Sequence, residues 1–238
     1  MIKKVIQWAL LNLGYKIVKL RNSNFNKVGF NKQYLSSVCT PDLVIDVGVG
    51  YGTFPLYEAF PQASFILIEP QVEYEEHLNK IAEKYSSKIV MKALGHESGL
   101  VEMNYDNNRL QKASFFKRTA LTVIKAPVQK KMIEVTTLDV LLENEQIEDK
   151  SILLKIDTEG GELSVLKGSK LSLQNIDFVI AEVSIAKRFD DSYEFEELVF
   201  FMKDNGFTIF SFLTMKSFGG ESRQRFTDIL FKKINLTK

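Results

Sequence analysis

Two short stretches of this 238-residue chain place residue types at spacings suited to gripping a nucleoside. The first is Asp46-Val47-Gly48-Val49-Gly50-Tyr51-Gly52, which follows an apolar run and precedes a segment that Thr53 can cap and Pro55 can open as a helix. Glycines at such a strand-to-helix junction let the backbone turn tightly and approach a ligand with no side chain in between. The second is Glu69-Pro70, seventeen residues after Gly52 at the end of another apolar run. A carboxylate there can accept both hydroxyl hydrogens of a ribose, so the pair predicts a nucleoside cofactor.

The glycine spacing separates the candidate cofactors. Nicotinamide-binding loops run GxGxxG, whereas this loop runs GxGxG and Thr53 stands where the third glycine of that fingerprint would fall. Asp46, two residues ahead of Gly48, adds an anion that suits S-adenosylmethionine, because a sulfonium and an ammonium both favour a nearby carboxylate. Two histidines, His77 and His96, and the single Cys39 argue against a transition-metal site, a disulfide framework and a covalent cysteine mechanism.

From residue 42 onward, short apolar strands alternate with helix-period segments, the pattern of a parallel sheet with crossover helices. Core strands are predicted at 43–47, 65–68, 89–93, 151–156, 178–183, 207–213 and 226–231, with helices over 71–86 and 193–205 and another ending near Gly168. Residues 100–105 and 131–136 read as two further strands flanking a polar excursion, inserted before the fourth core strand. Asp157 and Glu159 follow that fourth strand and Glu182 sits at the end of the fifth. In open α/β sheets those carboxyl ends face the ligand crevice. The expected fold class is α/β, a Rossmann-like seven-stranded sheet with helices on both faces.

Composition is that of a globular chain, 45% hydrophobic with a net charge of +1, but the charge is uneven. Residues 1–41 and 107–133 each hold seven basic side chains and no Asp or Glu, which leaves the rest of the chain acidic. Residues 1–41 are expected to form a basic helical appendage and 42–238 the main domain. In the appendage, Val5, Ile6, Trp8, Ala9, Leu10 and Leu13 form an apolar set on a basic helix. That set could dock on the core or a second subunit, or bring residues 1–20 to an anionic membrane surface. The run from Val5 to Tyr15 is broken by Gln7 and Asn12 and reads as neither anchor nor signal peptide. A cytoplasmic protein is expected, with peripheral membrane contact as the variant and the oligomeric state open.

The stretches DVGVGYG (46–52), IEP ending at Pro70, KALGHESG (92–99), VTTLD (135–139), LLKIDTEGGELSVLKG (153–168) and AEVS (181–184) resemble the FkbM-type S-adenosylmethionine-dependent methyltransferases. They occur in that family's order and cover roughly residues 42–184, with LLKIDTEGGE the most specific. The chain departs from the family at Val49-Gly50, where Ala-Asn is usual, and at Thr158 and Gly161, where Val and Ala are frequent. The resemblance implies the seven-stranded class I methyltransferase fold. It also implies that Asp46, Gly48, Gly50, Gly52 and Glu69 hold the cofactor, with the loop from Leu94 to His96 near the adenine. His96 is then open to an adenine contact or to plain solvent exposure. Acceptors of the family are commonly hydroxyls of sugars and polyketides.

Methylating an oxygen is an in-line displacement in which an alcohol must lose its proton, so a carboxylate or a metal near the hydroxyl helps. Asp157 is the first choice for that base. Glu159 and Glu182 could position the acceptor or hold a Mg²⁺ ion, although no motif indicates one; Glu159 and Glu162 also read as acids favouring a helix N-terminus. In the excursion, Ser114, Phe115 and Phe116 beside Lys117 and Arg118 combine an apolar face for a sugar with two cations. The segment is expected to be a mobile, substrate-covering loop in which Lys117 and Arg118 grip an anionic acceptor such as a nucleotide sugar, a phosphorylated lipid carrier or an acidic glycan. A merely solvated loop is the plainer alternative.

The function expected is therefore O-methylation of a hydroxyl on a sugar, glycan or related small molecule. RNA ribose methylation is the alternative that uses the basic N-terminus, but Glu182 and Val183 stand where its lysine is expected, and no nucleic-acid partner is expected. A cofactor-binding module without turnover is the third reading.

Overall fold

A computed structural model describes residues 28–119, 129–217 and 224–234, so the apolar set of residues 1–20 and the latter part of the polar excursion lie outside the described residues. The chain enters through helix α1 (Lys32–Val38), whose first turn is capped by Asn31 accepting the Tyr34 N–H at 3.0 Å. Tyr34 and Leu35 of this helix are buried among side chains of the main body. Packing onto the domain thus begins before residue 42.

Strand β1 (Leu43–Val47), helix α2 (Phe54–Ala59), strand β2 (Ser64–Ile68), helix α3 (Glu75–Lys84) and strand β3 (Ser87–Val90) form the first half. A short 3-10 turn, Val72–Tyr74, precedes α3, so the segment expected as one helix over 71–86 is split. The expected third strand is split as well. Its end becomes β4 (Ala93–Leu94), which leaves the main sheet to bury Ala93 beside Met103, Ile133 and Val135 while Leu94 packs into the main core. Strands β5 (Gly99–Tyr105) and β6 (Gln129–Thr136) pair antiparallel and make, with β4, a second small sheet in the order β4-β6-β5. This is the inserted hairpin.

The second half follows as helix α4 (Leu138–Leu142), strand β7 (Ile152–Ile156), helix α5 (Glu162–Lys167), strand β8 (Phe178–Ser184), helix α6 (Phe195–Asp204), and strands β9 (Phe207–Phe212) and β10 (Phe226–Lys233). The main sheet has seven strands in the order β3-β2-β1-β7-β8-β10-β9, and β10 runs antiparallel to both its neighbours. Alternation along β1 sends Leu43, Ile45 and Val47 to one face with α4, α5 and α6, and Val44 to the other with α1, α2 and α3. The sheet is covered on both sides, as its apolar strands require.

Register fixes what meets at the carboxyl edge. Val47 lies beside Ile68 on β2 and Ile156 on β7, so Gly48, Glu69 and Asp157 are the next residues out on three adjacent strands. Ile156 lies beside Ala181, which brings Glu182 next to Asp157. Strand order reverses between β1 and β7, the switch point at which open α/β sheets leave a crevice. Among the described residues, no helix is long and apolar enough to cross a membrane.

Candidate functional site

Gly48 has φ +76°, and a Cβ at this position would stand 2.0 Å from the Asp157 carbonyl oxygen. Only glycine lets β1 and β7 close together here. Gly50, at φ +53°, donates its N–H to Glu69 Oε2 at 3.0 Å, while the Gln71 N–H donates to Glu69 Oε1 at 3.0 Å. Burial pushes the Glu69 carboxyl upward, and these N–H donors oppose that by favouring the charged form. The predicted ribose carboxylate is thus held on the cavity wall by the glycine loop itself.

Asp46 is a correction. Its side chain is fully buried beneath the loop rather than on the cavity wall: Tyr57 donates to Oδ2 at 2.5 Å and the Lys155 ammonium lies 2.9 Å from Oδ1. In this arrangement the carboxylate ties the loop to Lys155 and Tyr57. Lys155 additionally donates to the Gly48 carbonyl at 3.2 Å and stands 3.7 Å from Asp157. Burial alone lowers the pKa of such a lysine, but Asp46 and Asp157 more than offset it. Lys155 read in sequence only as a polar interruption of an apolar strand. Gly52 is also off the cavity wall, packed toward Ile81 and Phe54.

At the other end of the crevice the three predicted carboxylates converge. Asp157 faces the cavity with its side chain 44% exposed. Glu182 is buried, with Arg188 Nη2 at 3.0 Å from one oxygen and Lys216 Nζ at 3.4 Å from the other. Burial, aided by the like charge of Asp157, pushes the Glu182 carboxyl up to about 7. Glu159 lies 3.3 Å from Arg118 and 3.6 Å from Arg188. Arg188 therefore bridges two of the three acids, and Lys216 joins Glu182 to Asp228, 3.6 Å away on β10. Neither Arg188 nor Lys216 carried a motif that could have marked it. With guanidinium and ammonium groups on Glu159 and Glu182, their Mg²⁺ option finds no support, and no group of three His, Cys, Asp or Glu among the described residues could hold a metal.

Glu162, which read as an acid favouring a helix N-terminus, organises the turn that carries Asp157 and Glu159. One oxygen accepts the N–H groups of Thr158 and Gly160, both at 3.2 Å, and the other accepts the Tyr193 hydroxyl at 2.8 Å. It is wholly buried, which pushes it up to about 8.

The part of the excursion that lies within the described residues makes specific contacts with the body. Ser114 exchanges backbone hydrogen bonds with Asn104, its hydroxyl donates to the Glu159 carbonyl, and Asp190 donates its N–H to the Lys117 carbonyl at 2.7 Å. Arg118 turns inward to the cavity wall, its guanidinium 4.7 Å from the centre of the Phe189 ring. Lys117 stays exposed and off that wall. The two predicted substrate cations are thus separated, as neighbours on an extended segment point to opposite sides. Leu94 lines the cavity, but His96 points away, its ring beside Ser164 and Glu97 and largely exposed. His77 packs edge-on against Tyr51. Cys39 is buried and its thiol is pushed up to about 12, which leaves it unreactive.

Glycine loop, Glu69, Asp157, Glu159, Glu182 and Arg118 all border one cavity of about 780 Å³. A family model described as the methyltransferase FkbM domain matches residues 46–209. The chain belongs to that family. Its sheet order is that of the expected class I methyltransferase fold, and the matched range holds the glycine loop, Glu69, Asp157, Glu159 and Glu182 but not Lys216, Arg225 and Phe226, which also border the cavity. Comparison with curated proteins gives no match.

Several solved structures are similar at low identity. One is the FkbM methyltransferase from Methylobacillus flagellatus KT, at 14% identity and a TM-score of 0.48, covering 79% of this chain and 43% of that one. TehB from Haemophilus influenzae gives 12% and 0.46, over 85% of this chain and 61% of that one. Magnesium protoporphyrin IX methyltransferase from Synechocystis PCC 6803, solved with bound S-adenosylmethionine, gives 12% and 0.46 over 98% and 97%. The chain thus spans less than two thirds of the first two.

Proposed function

We propose that this domain transfers the methyl group of S-adenosylmethionine to a hydroxyl oxygen of a sugar or glycan-type acceptor. The observation that carries the reading is a single cavity bordered at one end by Gly48, Gly50 and Glu69 and at the other by Asp157 and Glu182. The residues fit the cofactor. Among the described residues, and apart from its chain neighbours, the nearest atom to where a Gly50 Cβ would stand is Tyr74 Cζ at 3.9 Å, which leaves the backbone there open to a ligand. Glu69 accepts backbone N–H groups yet keeps lone pairs for ribose hydroxyls.

When bound, the cofactor supplies a sulfonium methyl group open to in-line displacement by an acceptor oxygen. Asp157 accepts the proton of that hydroxyl, its carboxylate standing 3.7 Å from the Lys155 ammonium. Glu182 and Glu159 accept hydrogen bonds from the acceptor, while Arg118, Arg188 and Lys216 donate them. Such a mixed lining suits a polyhydroxylated molecule, since each hydroxyl both donates and accepts. An anionic substituent on the acceptor would meet Arg118.

The test is a screen of nucleotide sugars and short glycans with a labelled methyl donor. Acceptor-dependent formation of a methyl ether and S-adenosylhomocysteine is expected. Label appearing on nitrogen or carbon instead would overturn the choice of a hydroxyl.

A further inference from the structure

We propose that Tyr74 and Gln71 complete, with Glu69, a three-residue cradle for the ribose diol of the bound nucleoside, Tyr74 donating to a ribose oxygen and Gln71 accepting a ribose hydroxyl. The inference deepens the cofactor reading above and rests on it. It starts from two polar atoms that the fold buries without use. Tyr74 is 1% exposed and Gln71 5% exposed, yet the Tyr74 hydroxyl and the Gln71 side-chain carbonyl have no hydrogen-bond partner among the described residues. Both residues border the cavity. Leaving a buried polar group unpaired is costly, so two such atoms on residues that border one cavity point to a ligand that satisfies them.

Their surroundings say which part of the ligand. Gln71 donates through its side-chain amide to Glu69 Oε1 at 3.4 Å and to the Leu110 carbonyl at 3.2 Å. Both partners are acceptors, which fixes the amide orientation and leaves the carbonyl oxygen directed elsewhere. The Tyr74 ring approaches to 3.9 Å of the Cβ position of Gly50, whose N–H holds the other Glu69 oxygen. The two orphan atoms thus flank the carboxylate that reads as the ribose anchor. A vicinal diol offers two hydrogens and two acceptor oxygens. Glu69 already accepts two backbone N–H groups and the Gln71 amide, so sharing the hydroxyl hydrogens with Gln71, and meeting one ribose oxygen with the Tyr74 hydroxyl, uses every group without crowding one carboxylate.

The experiment is titration calorimetry of the full chain with S-adenosylhomocysteine and with its 2′-deoxy and 3′-deoxy analogues, on the wild type, Tyr74→Phe and Gln71→Met. Tyr74→Phe should weaken S-adenosylhomocysteine about tenfold while leaving the melting temperature unchanged or raised, because an unpaired buried hydroxyl has been removed. That loss should vanish for the analogue lacking the hydroxyl that Tyr74 meets, and the Gln71→Met loss should likewise shrink for one deoxy analogue. Binding by Tyr74→Phe within twofold of the wild type, or an equal loss for the diol and both deoxy ligands, would overturn the cradle. A lowered melting temperature with unchanged affinity would overturn it too, as the mark of a packing role. Failure of the wild type to bind S-adenosylhomocysteine at all would instead remove the cofactor reading.

Discussion

Lys155, on β7, stands 2.9 Å from Asp46 on β1, and both side chains are almost wholly removed from water. The pair ties the root of the glycine loop to the strand that ends at Asp157. Removing one partner of a buried ion pair strands the other, which costs about 3–5 kcal/mol. Lys155→Met is therefore expected to lose stability on that scale in urea unfolding, and Asp46→Asn combined with Lys155→Met to recover part of it. A single variant as stable as the wild type would show that the pair does not hold the loop.

Asp157→Asn should keep S-adenosylhomocysteine affinity and lower turnover by about 10²–10⁴, the range for a lost general base. Single-turnover kinetics with an acceptor from the screen measures it. Wild-type activity should withstand a chelator, since Glu159 and Glu182 are engaged by cations of the chain itself. Normal turnover by the variant would move the base to Glu182.

Arg118 and Lys117 should differ, although they are adjacent. Arg118→Ala is expected to raise the acceptor KM, leave cofactor affinity alone and blunt the salt dependence of acceptor binding. Lys117→Ala should change none of these, because its side chain is exposed and off the cavity wall. Equal effects of the two variants would contradict this division.

The buried acid Glu162 predicts a pH dependence of stability. Its folded carboxyl is pushed up to about 8, well above the ordinary glutamate value. Between that ordinary value and about 8 the unfolded chain has released the proton while the folded chain still holds it, so stability falls as pH rises through this window. Glu182, pushed up to about 7, adds to the fall over the lower part. Melting temperatures from pH 5 to pH 8 should decline in the wild type and decline less in Glu162→Gln. Parallel curves would show that Glu162 does not hold its proton.

The strand at Leu43–Val47, the glycine loop and Glu69 were legible because each signal is local. An apolar run, a glycine spacing and an acid at a strand end lie within a few residues and report the backbone they demand. The strand over 178–183 was legible for the same reason. The inserted hairpin was legible as two strands, but the split of the third core strand at Val90 and Ala93 was not, because Ala93 and Leu94 find their partners on β6 some forty residues later.

The sequence by itself determined an α/β domain, its seven core strands and the crevice-facing positions of Asp157, Glu159 and Glu182. Tertiary structure alone decided which charged groups face a ligand and which hold the frame. Asp46 looked like a cofactor anion, but its partner Lys155 comes from a strand more than a hundred residues away, and only their pairing across β1 and β7 shows the carboxylate buried in an ion pair. Arg188 acquires its role only when β7 and β8 lie side by side, and Lys216 only when β8 and β10 do. Adjacent residues such as Lys117 and Arg118 part company because an extended backbone turns successive side chains to opposite sides. Contacts of this kind depend on register and packing between distant segments, which no spacing within one segment encodes.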